Sequence, residues 1–103
     1  MQILFVHQNF PGQYRYISRY FASHPQWQAY AIGEKTNVTR QLAYIPQQGI
    51  HLMGYELPAK RSTHAGLAGE FAAHLDRAQA VAALALRQRK NGLDPDIICS
   101  HPG

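Results

Sequence analysis

The sequence has little cysteine, little charge and no long apolar run. Its one cysteine among 103 residues, Cys99, excludes an internal disulfide and lies in an apolar run, which is typical of a small core residue. Charged residues make up only 16% of the chain and hydrophobic residues 46%, which excludes a wholly disordered protein. The length suits one globular domain that occupies residues 1–103.

No apolar stretch is long enough to cross a bilayer. The longest strongly apolar stretches, residues 3–6 and 81–86, fall far short of the ~20 residues that a membrane-spanning helix needs. The chain opens without a basic leader, and polar residues follow its first apolar run from His7 onward, unlike a secretion signal. We therefore predict no integral membrane segment and a cytoplasmic location.

Two ligand-binding signatures are also missing. The chain has no G-x-G-x-x-G motif, which disfavours NAD binding, and we predict no cofactor. Its histidines show no spacing of three or four residues and no cysteine cluster beside them, so we predict no metal site. They are His7, His24, His51, His64, His74 and His101.

The net charge is +4, yet the basic residues form no stripe. One dense group is Lys60 with Arg61, and the other lies at residues 87–90, at a predicted helix end where cations complement the helix dipole. No nucleic-acid-binding motif accompanies them. We therefore predict no nucleic-acid partner.

The first half of the chain predicts two strands and one helix. Residues 3–6 are apolar on both sides, as in a central parallel strand. A second strand is predicted over residues 27–33 and a loop over residues 34–48. Between the strands we predict a helix that stops before Pro25. Its apolar stripe is formed by Tyr14, Ile17, Tyr20 and Phe21, and the aromatic group that includes Tyr16 is interpreted as core packing rather than a base-stacking surface.

The second half predicts two more strands around a long helix. The strands cover residues 50–55 and 96–100. Asn91, Gly92 and Pro95 end the helix near Lys90. Apolar residues recur along it at steps of three and four, at Leu67, Phe71, Leu75, Ala78, Ala82 and Leu86.

The resulting order of strand and helix predicts an α/β fold. We expect a Rossmann-like parallel sheet with flanking helices and strand order 3-2-1-4, truncated after the fourth strand. In this order the carboxyl ends of the first and fourth strands are neighbours and form a ligand-binding crevice. A small flavodoxin-like or receiver-like binding module remains an alternative.

Polar residues leave both of those strands. His7, Gln8 and Asn9 follow the first, and Ser100 and His101 end the fourth, so we expect them to meet at one edge of the sheet. An imidazole at either strand end suits a structural hydrogen bond as well as proton transfer.

The loop at residues 9–13 follows directly. Its free backbone N–H groups favour an anion or a sugar hydroxyl, and Gly12 permits close approach. A simple turn at Pro11 and Gly12 explains this segment equally well.

The segment H-Q-N-F-P-G-Q at residues 7–13, taken with D-P-D-I-I-C-S-H-P-G at residues 94–103, resembles the amino-terminal domain of bacterial family 4 glycosyltransferases. The opening segment is the more specific part of the resemblance. The resemblance implies a GT-B enzyme of two Rossmann-like domains. The first receives the acceptor and the second binds the nucleotide-sugar donor, and sugar transfer takes place between them.

The resemblance also implies roles for individual residues. His101 would lie beside the reacting sugar as the catalytic candidate, with retention of anomeric configuration and no bound metal. The expected substrate-binding residues are His7, Gln8, Asn9, Pro11, Gly12, Gln13 and Ser100. Without the donor domain this chain is expected to be inactive, and its exposed sheet edge is expected to pair in a homodimer.

Overall fold

The computed structural model describes residues 1–57 and 66–100. A short 3-10 helix at Gly12–Tyr14 precedes the first α-helix. The main elements are β1 (Gln2–Val6), α1 (Arg15–Ser23), β2 (Gln28–Glu34), α2 (Lys35–Tyr44), β3 (Ile50–Tyr55), α3 (Gly66–Arg89) and β4 (Ile97–Ser100).

The four strands form one parallel sheet in the order β3-β2-β1-β4, which confirms the predicted fold and strand order. Phe5 in β1 is in register with Ala31 of β2 and Cys99 of β4. β1 is thus central, and its apolar run is buried on both faces, as parallel strands with helices on both sides require.

Each face of the sheet has its own core. Along β1, Ile3 and Phe5 face α1 and α2, whereas Leu4 faces α3. The first core is formed by Ile3, Phe5, Phe10, Ala29, Ala31 and Val38. The second is formed by Leu4, Ile32, Tyr55, Leu84 and Leu93.

The predicted loop at residues 34–48 is wrong, because α2 occupies most of it. Val38 is buried in the first core and Leu42, one turn later, packs against it. Two core-facing positions give almost no periodic signal, and the helix is stabilised mainly by this tertiary packing.

The buried side of α1 also differs from the prediction. Tyr14 and Phe21 pack on the core, but Ile17 and Tyr20 are 45% and 59% exposed. Tyr16 is 66% exposed, so its interpretation as a core residue is also wrong. The centre of the buried side is Ser18, which is fully buried and donates to Oε1 of Gln47 at 2.6 Å. Because the residue at the centre of the buried side is a polar serine, the spacing of apolar residues did not indicate which side of α1 is buried.

The bounds of α3 agree with the prediction, but its apolar stripe does not face the sheet. Leu67 and Phe71 are 82% and 69% exposed, whereas Leu84 is buried and Val81 packs beside it. This alanine-rich helix has apolar residues on two sides, so spacing alone could not choose between them. None of the described helices combines the length and apolarity needed to span a bilayer.

Candidate functional site

The carboxyl ends of β1 and β4 lie side by side. Val6, the last residue of β1, is in register with Ser100, the last residue of β4. Residues 7–13 therefore leave the sheet next to Ser100, which is exposed. His101, the predicted catalytic residue, lies outside the described residues.

His7 begins this loop and is only 8% exposed. Its backbone N–H donates to the Ile32 carbonyl at 3.0 Å, which extends the β1–β2 pairing by one residue. Its Nδ1 accepts a hydrogen bond from the Asn9 backbone N–H at 3.0 Å. Because Nδ1 is an acceptor here, the neutral ring carries its proton on Nε2. The Tyr14 ring packs edge-on against the imidazole at a centroid distance of 5.8 Å.

Gly12 lies against the Nε2 edge of the same imidazole. Its φ of 47° is left-handed, and a Cβ built on it would lie 2.5 Å from Nε2 of His7. That separation is far inside van der Waals contact, so only glycine allows the loop to approach the ring this closely. The segment at Pro11 and Gly12 is a turn, as one reading of the sequence predicts, and it is also packed on a histidine.

The other predicted site residues differ in how accessible they are. Gln13 is exposed, and Gln8 and Asn9 are half-buried, so at least part of each side chain is accessible to a ligand. Pro11 is fully buried, its carbonyl accepts from the Tyr14 N–H at 2.8 Å, and it shapes the loop from inside. Oε1 of Gln8 is buried without a hydrogen-bond partner among the described residues.

The carboxyl end of β2 packs against the backbone of this loop. A Cβ on Gly33 would overlap Cγ2 of Val38 and lie 2.7 Å from the His7 carbonyl oxygen. The next residue, Glu34, donates its backbone N–H to the Gln8 carbonyl at 3.1 Å. The loop backbone thus packs directly on β2, with no room for a side chain between them.

Tyr14 connects this loop to β4. Burial raises the pKa of its phenol, the nearby Cys99 raises that pKa further, and a hydrogen bond with Gln13 lowers it. The effect of Cys99 reflects the closeness of β4 to the loop.

Sequence reasoning missed a second polar group at the ends of β2 and β3. Tyr55 is 5% exposed, and its pKa is raised by burial and then by the charge of Glu34, against a lowering effect of Arg77. Nε of Arg77, on α3, is buried and has no hydrogen-bond partner among the described residues. Glu34 and Tyr55 are the last residues of their strands, and polar residues at predicted strand ends could have identified them as site candidates from the sequence. Arg77 lies in the middle of a helix, where no feature of the sequence indicated a site.

The described residues contain no group of three or more histidine, cysteine or acidic side chains that would hold a metal ion. The absence of a metal remains a prediction.

The sheet, its flanking helices and the polar carboxyl edge define a Rossmann-like α/β domain. A sequence model described as the glycosyl transferase family 4 group matches residues 25–103. The chain belongs to this glycosyltransferase family, which confirms the resemblance noted from the sequence. The match begins after residues 7–13, so it does not depend on the opening segment. No curated protein and no solved structure matched the chain.

Proposed function

We propose that this chain is the amino-terminal, acceptor-side domain of a cytoplasmic GT-B glycosyltransferase. The observation that carries the proposal is the packed pair of His7 and Gly12 at the carboxyl end of β1, beside Ser100, in a chain of this family. Open α/β sheets bind ligands in the crevice at this position.

Within this proposal the loop residues divide into two groups. His7 is a positioning residue, because its imidazole is buried beneath Gly12 and fixes the loop through the Asn9 N–H. The accessible polar side chains would bind the hydroxyl groups of the acceptor. These are Gln8, Asn9, Gln13 and Ser100.

The chemistry follows from the family resemblance. A second domain would bind the nucleotide-sugar donor, and the anomeric carbon would pass from the phosphate oxygen of the donor to a hydroxyl oxygen of the acceptor. The hydroxyl proton passes to the departing phosphate oxygen or to the imidazole of His101 as the new bond forms, and the nucleotide departs with the electron pair of the broken bond. Retention of configuration, metal independence and a place for His101 beside the reacting sugar belong to the same proposal. The chain alone would be inactive.

Ligand binding to the isolated chain provides the first test. Backbone amide spectra would be recorded during titration with a panel of neutral mono- and disaccharides, and separately with UDP-glucose and GDP-mannose. We expect an acceptor-like saccharide to shift the amides of Gln8, Asn9 and Gln13, and the nucleotide sugars to leave them unchanged. Shifts of these amides by nucleotide sugars alone would assign this edge to the donor and contradict the acceptor role.

Sugar transfer by a longer protein, in which a second Rossmann-like domain follows this chain, provides the second test. We expect Gly12→Trp to abolish transfer because the indole would occupy the loop and displace His7. We expect His101→Ala to slow transfer by roughly 100-fold or more if it moves a proton. Full activity in both variants would remove these residues from the site.

Self-association is a separate part of the proposal. β4 lies at the end of the strand order, and its Ile98 is 62% exposed. An open strand edge with exposed apolar residues favours pairing with a second copy. Sedimentation should report a concentration-dependent dimer that Ile98→Lys disrupts, with Leu67→Lys, at the exposed start of α3, as the matched control. A monomer at high concentration for the unmodified chain would contradict this part.

A further inference from the structure

A cavity of 420 Å³ lies at the carboxyl end of β3, between this strand and α3. Gly54 lines it from the strand, and Ala80 and Ala83 line it from the helix. Because none of these residues has a side chain larger than a methyl group, the strand and the helix leave a space between them. Its volume is within the range of roughly 300–1,000 Å³ that small-molecule sites occupy. The remaining lining residues are Lys35, Tyr55, Glu56 and Arg87.

Charged side chains surround this cavity. Lys35 and Glu56 form an ion pair at 3.5 Å, and their side chains are 66% and 74% exposed. Arg87 has no ion-pair partner in the part of the chain that the structure describes. It follows Ala80 and Ala83 at steps of three and four residues, so all three lie on one side of α3. Long side chains in a helix point back over the preceding turn, which directs Arg87 toward the cavity.

The balance of charge around the cavity favours an anionic ligand. The lining residues comprise two cations, Lys35 and Arg87, and one carboxylate, Glu56. An exposed ion pair contributes little free energy, so Lys35 can exchange Glu56 for an anion at small cost. The charges of Arg77 and Glu34, in the polar group described above, have opposite signs and leave the excess of positive charge unchanged.

We propose that this cavity binds a sugar that carries a carboxylate or a phosphate group. Arg87 and Lys35 hold the anionic group through charge-assisted hydrogen bonds. The C–H groups of the sugar ring pack on the methyl groups of Ala80 and Ala83. The site is separate from the loop at residues 7–13, because β2 lies between β1 and β3 and the ends of these two strands are about 10 Å apart. The proposal therefore does not rest on the acceptor role of that loop.

Two other classes of ligand fit the cavity less well. A nucleotide base stacks on an exposed aromatic ring, whereas Tyr55, the one aromatic residue among the described residues of the lining, is only 5% exposed. A divalent metal ion needs several oxygen ligands, and Glu56 is the one carboxylate among the same residues. A small sugar with one anionic group needs neither feature.

The position of Arg87 in the last turn of α3 has a structural explanation as well, because a cation there complements the helix dipole. Arg89 lies in the same turn and has the same effect on the dipole, but it does not line the cavity. The two arginines therefore separate a role in ligand binding from a role in helix stability.

Amide spectra of the purified chain test the proposal, with glucuronate, glucose-6-phosphate, glucose and inorganic phosphate as separate probes. We expect at least one of the two charged sugars to shift the amides of Gly54 and Ala83, and glucose and inorganic phosphate to bind roughly tenfold or more weakly. The tighter of the two charged sugars identifies the anionic group. The amides of Gln8 and Gln13 report on the acceptor loop in the same spectra, so failure of the acceptor role is distinguishable from failure of this site.

Two pairs of variants locate the ligand. Arg87→Gln should weaken binding of the charged sugar by roughly tenfold or more, whereas Arg89→Gln, with the same change of charge, should keep most of the affinity. Ala83→Leu should block binding by filling the cavity, and Ala82→Leu, at a neighbouring position outside the lining, is its control. All four positions are exposed, and unchanged unfolding by urea would establish that the variants fold.

Four results would overturn the proposal. The first is the absence of shifts at Gly54 and Ala83 with both charged sugars. The second is equal weakening by Arg87→Gln and Arg89→Gln, which would mean that net charge alone is responsible. The third is unchanged affinity in Ala83→Leu, which would place the ligand outside the cavity. The fourth is binding of inorganic phosphate as tightly as glucose-6-phosphate, which would mean that the sugar makes no contact.

Discussion

Nε2 of His7 lies where the side chain of any other residue at position 12 would have to be, 2.5 Å from a Cβ built on Gly12. The two residues are therefore one structural unit: the ring supports the loop, and the glycine permits the contact. The Asn9 N–H completes the unit by donating to Nδ1 of the same ring.

Gly12→Ala should destabilise the chain through this contact. Overpacking costs about 1–3 kcal/mol, to which the left-handed backbone adds strain. Gly92→Ala is the control, because Gly92 has a φ of +100° and no described atom within 4 Å of its added Cβ. We expect urea unfolding to report a larger loss of stability at position 12, accompanied by a shift of the Asn9 amide. Equal losses in the two variants would mean that backbone strain alone is responsible.

Gly33→Ala should be more damaging than Gly54→Ala, although these two glycines face each other in register on β2 and β3. A methyl group on Gly33 meets the His7 carbonyl oxygen at 2.7 Å, and that backbone atom cannot move without breaking the pairing of the loop. A methyl group on Gly54 meets Cβ and Cα of Lys35 at the longer separations of 3.0 and 3.2 Å, so a smaller displacement relieves the contact.

We expect Gly33→Ala to lower the free energy of unfolding by about 1–3 kcal/mol more than Gly54→Ala. It should also weaken saccharide binding at the loop, and amide spectra recorded under native conditions would check this. A saccharide affinity unchanged by Gly33→Ala would separate the packing of the loop from its role in binding.

The parts of the fold that the sequence predicted are those with a strong local signal. The apolar run from Ile3 to Phe5 and the run at Ile97 and Ile98 needed no tertiary information to be assigned as strands. Helix α2 depends on the burial of Val38 in the first core, and α1 depends on the buried Ser18. Signals of that kind arise only when the chain is folded.

The candidate site divides in the same way. The strand ends at His7 and Ser100 followed from the sheet order, because polar residues after parallel strands meet at one edge. The support of Gly12 by His7 depends on a backbone angle, and the closeness of Arg77 to Tyr55 depends on the packing of α3. The spacing of residues in the sequence reveals neither this backbone angle nor the packing of α3.

Ser18→Ala should cost stability because it leaves Oε1 of Gln47 buried without its hydrogen-bond donor. Nε2 of Gln47 is already buried and unpartnered among the described residues, so little else can compensate. We expect a loss of about 1–3 kcal/mol in urea unfolding. Adding Gln47→Met should recover much of it, because both polar groups are then removed together. Additive losses in the double variant would contradict a direct coupling of the two side chains.

Stability should fall in alkaline solution partly through Tyr55. Burial and the charge of Glu34 raise the pKa of this phenol above its ordinary value of 10.0, so the unfolded chain loses the proton at lower pH than the folded chain. The contribution is fully present below pH 10.0 and is lost as the pH rises above that value towards the folded-state pKa.

Tyr55→Phe removes this titration, and the free energy of unfolding should therefore fall less steeply above pH 10.0 than in the unmodified chain. Tyr44→Phe, at a residue that is 83% exposed, is the matched control for the loss of a phenol. Unfolding by urea at a series of alkaline pH values provides the measurement. Parallel curves for Tyr55→Phe and the unmodified chain would mean that the phenol at position 55 ionises equally in the folded and unfolded states.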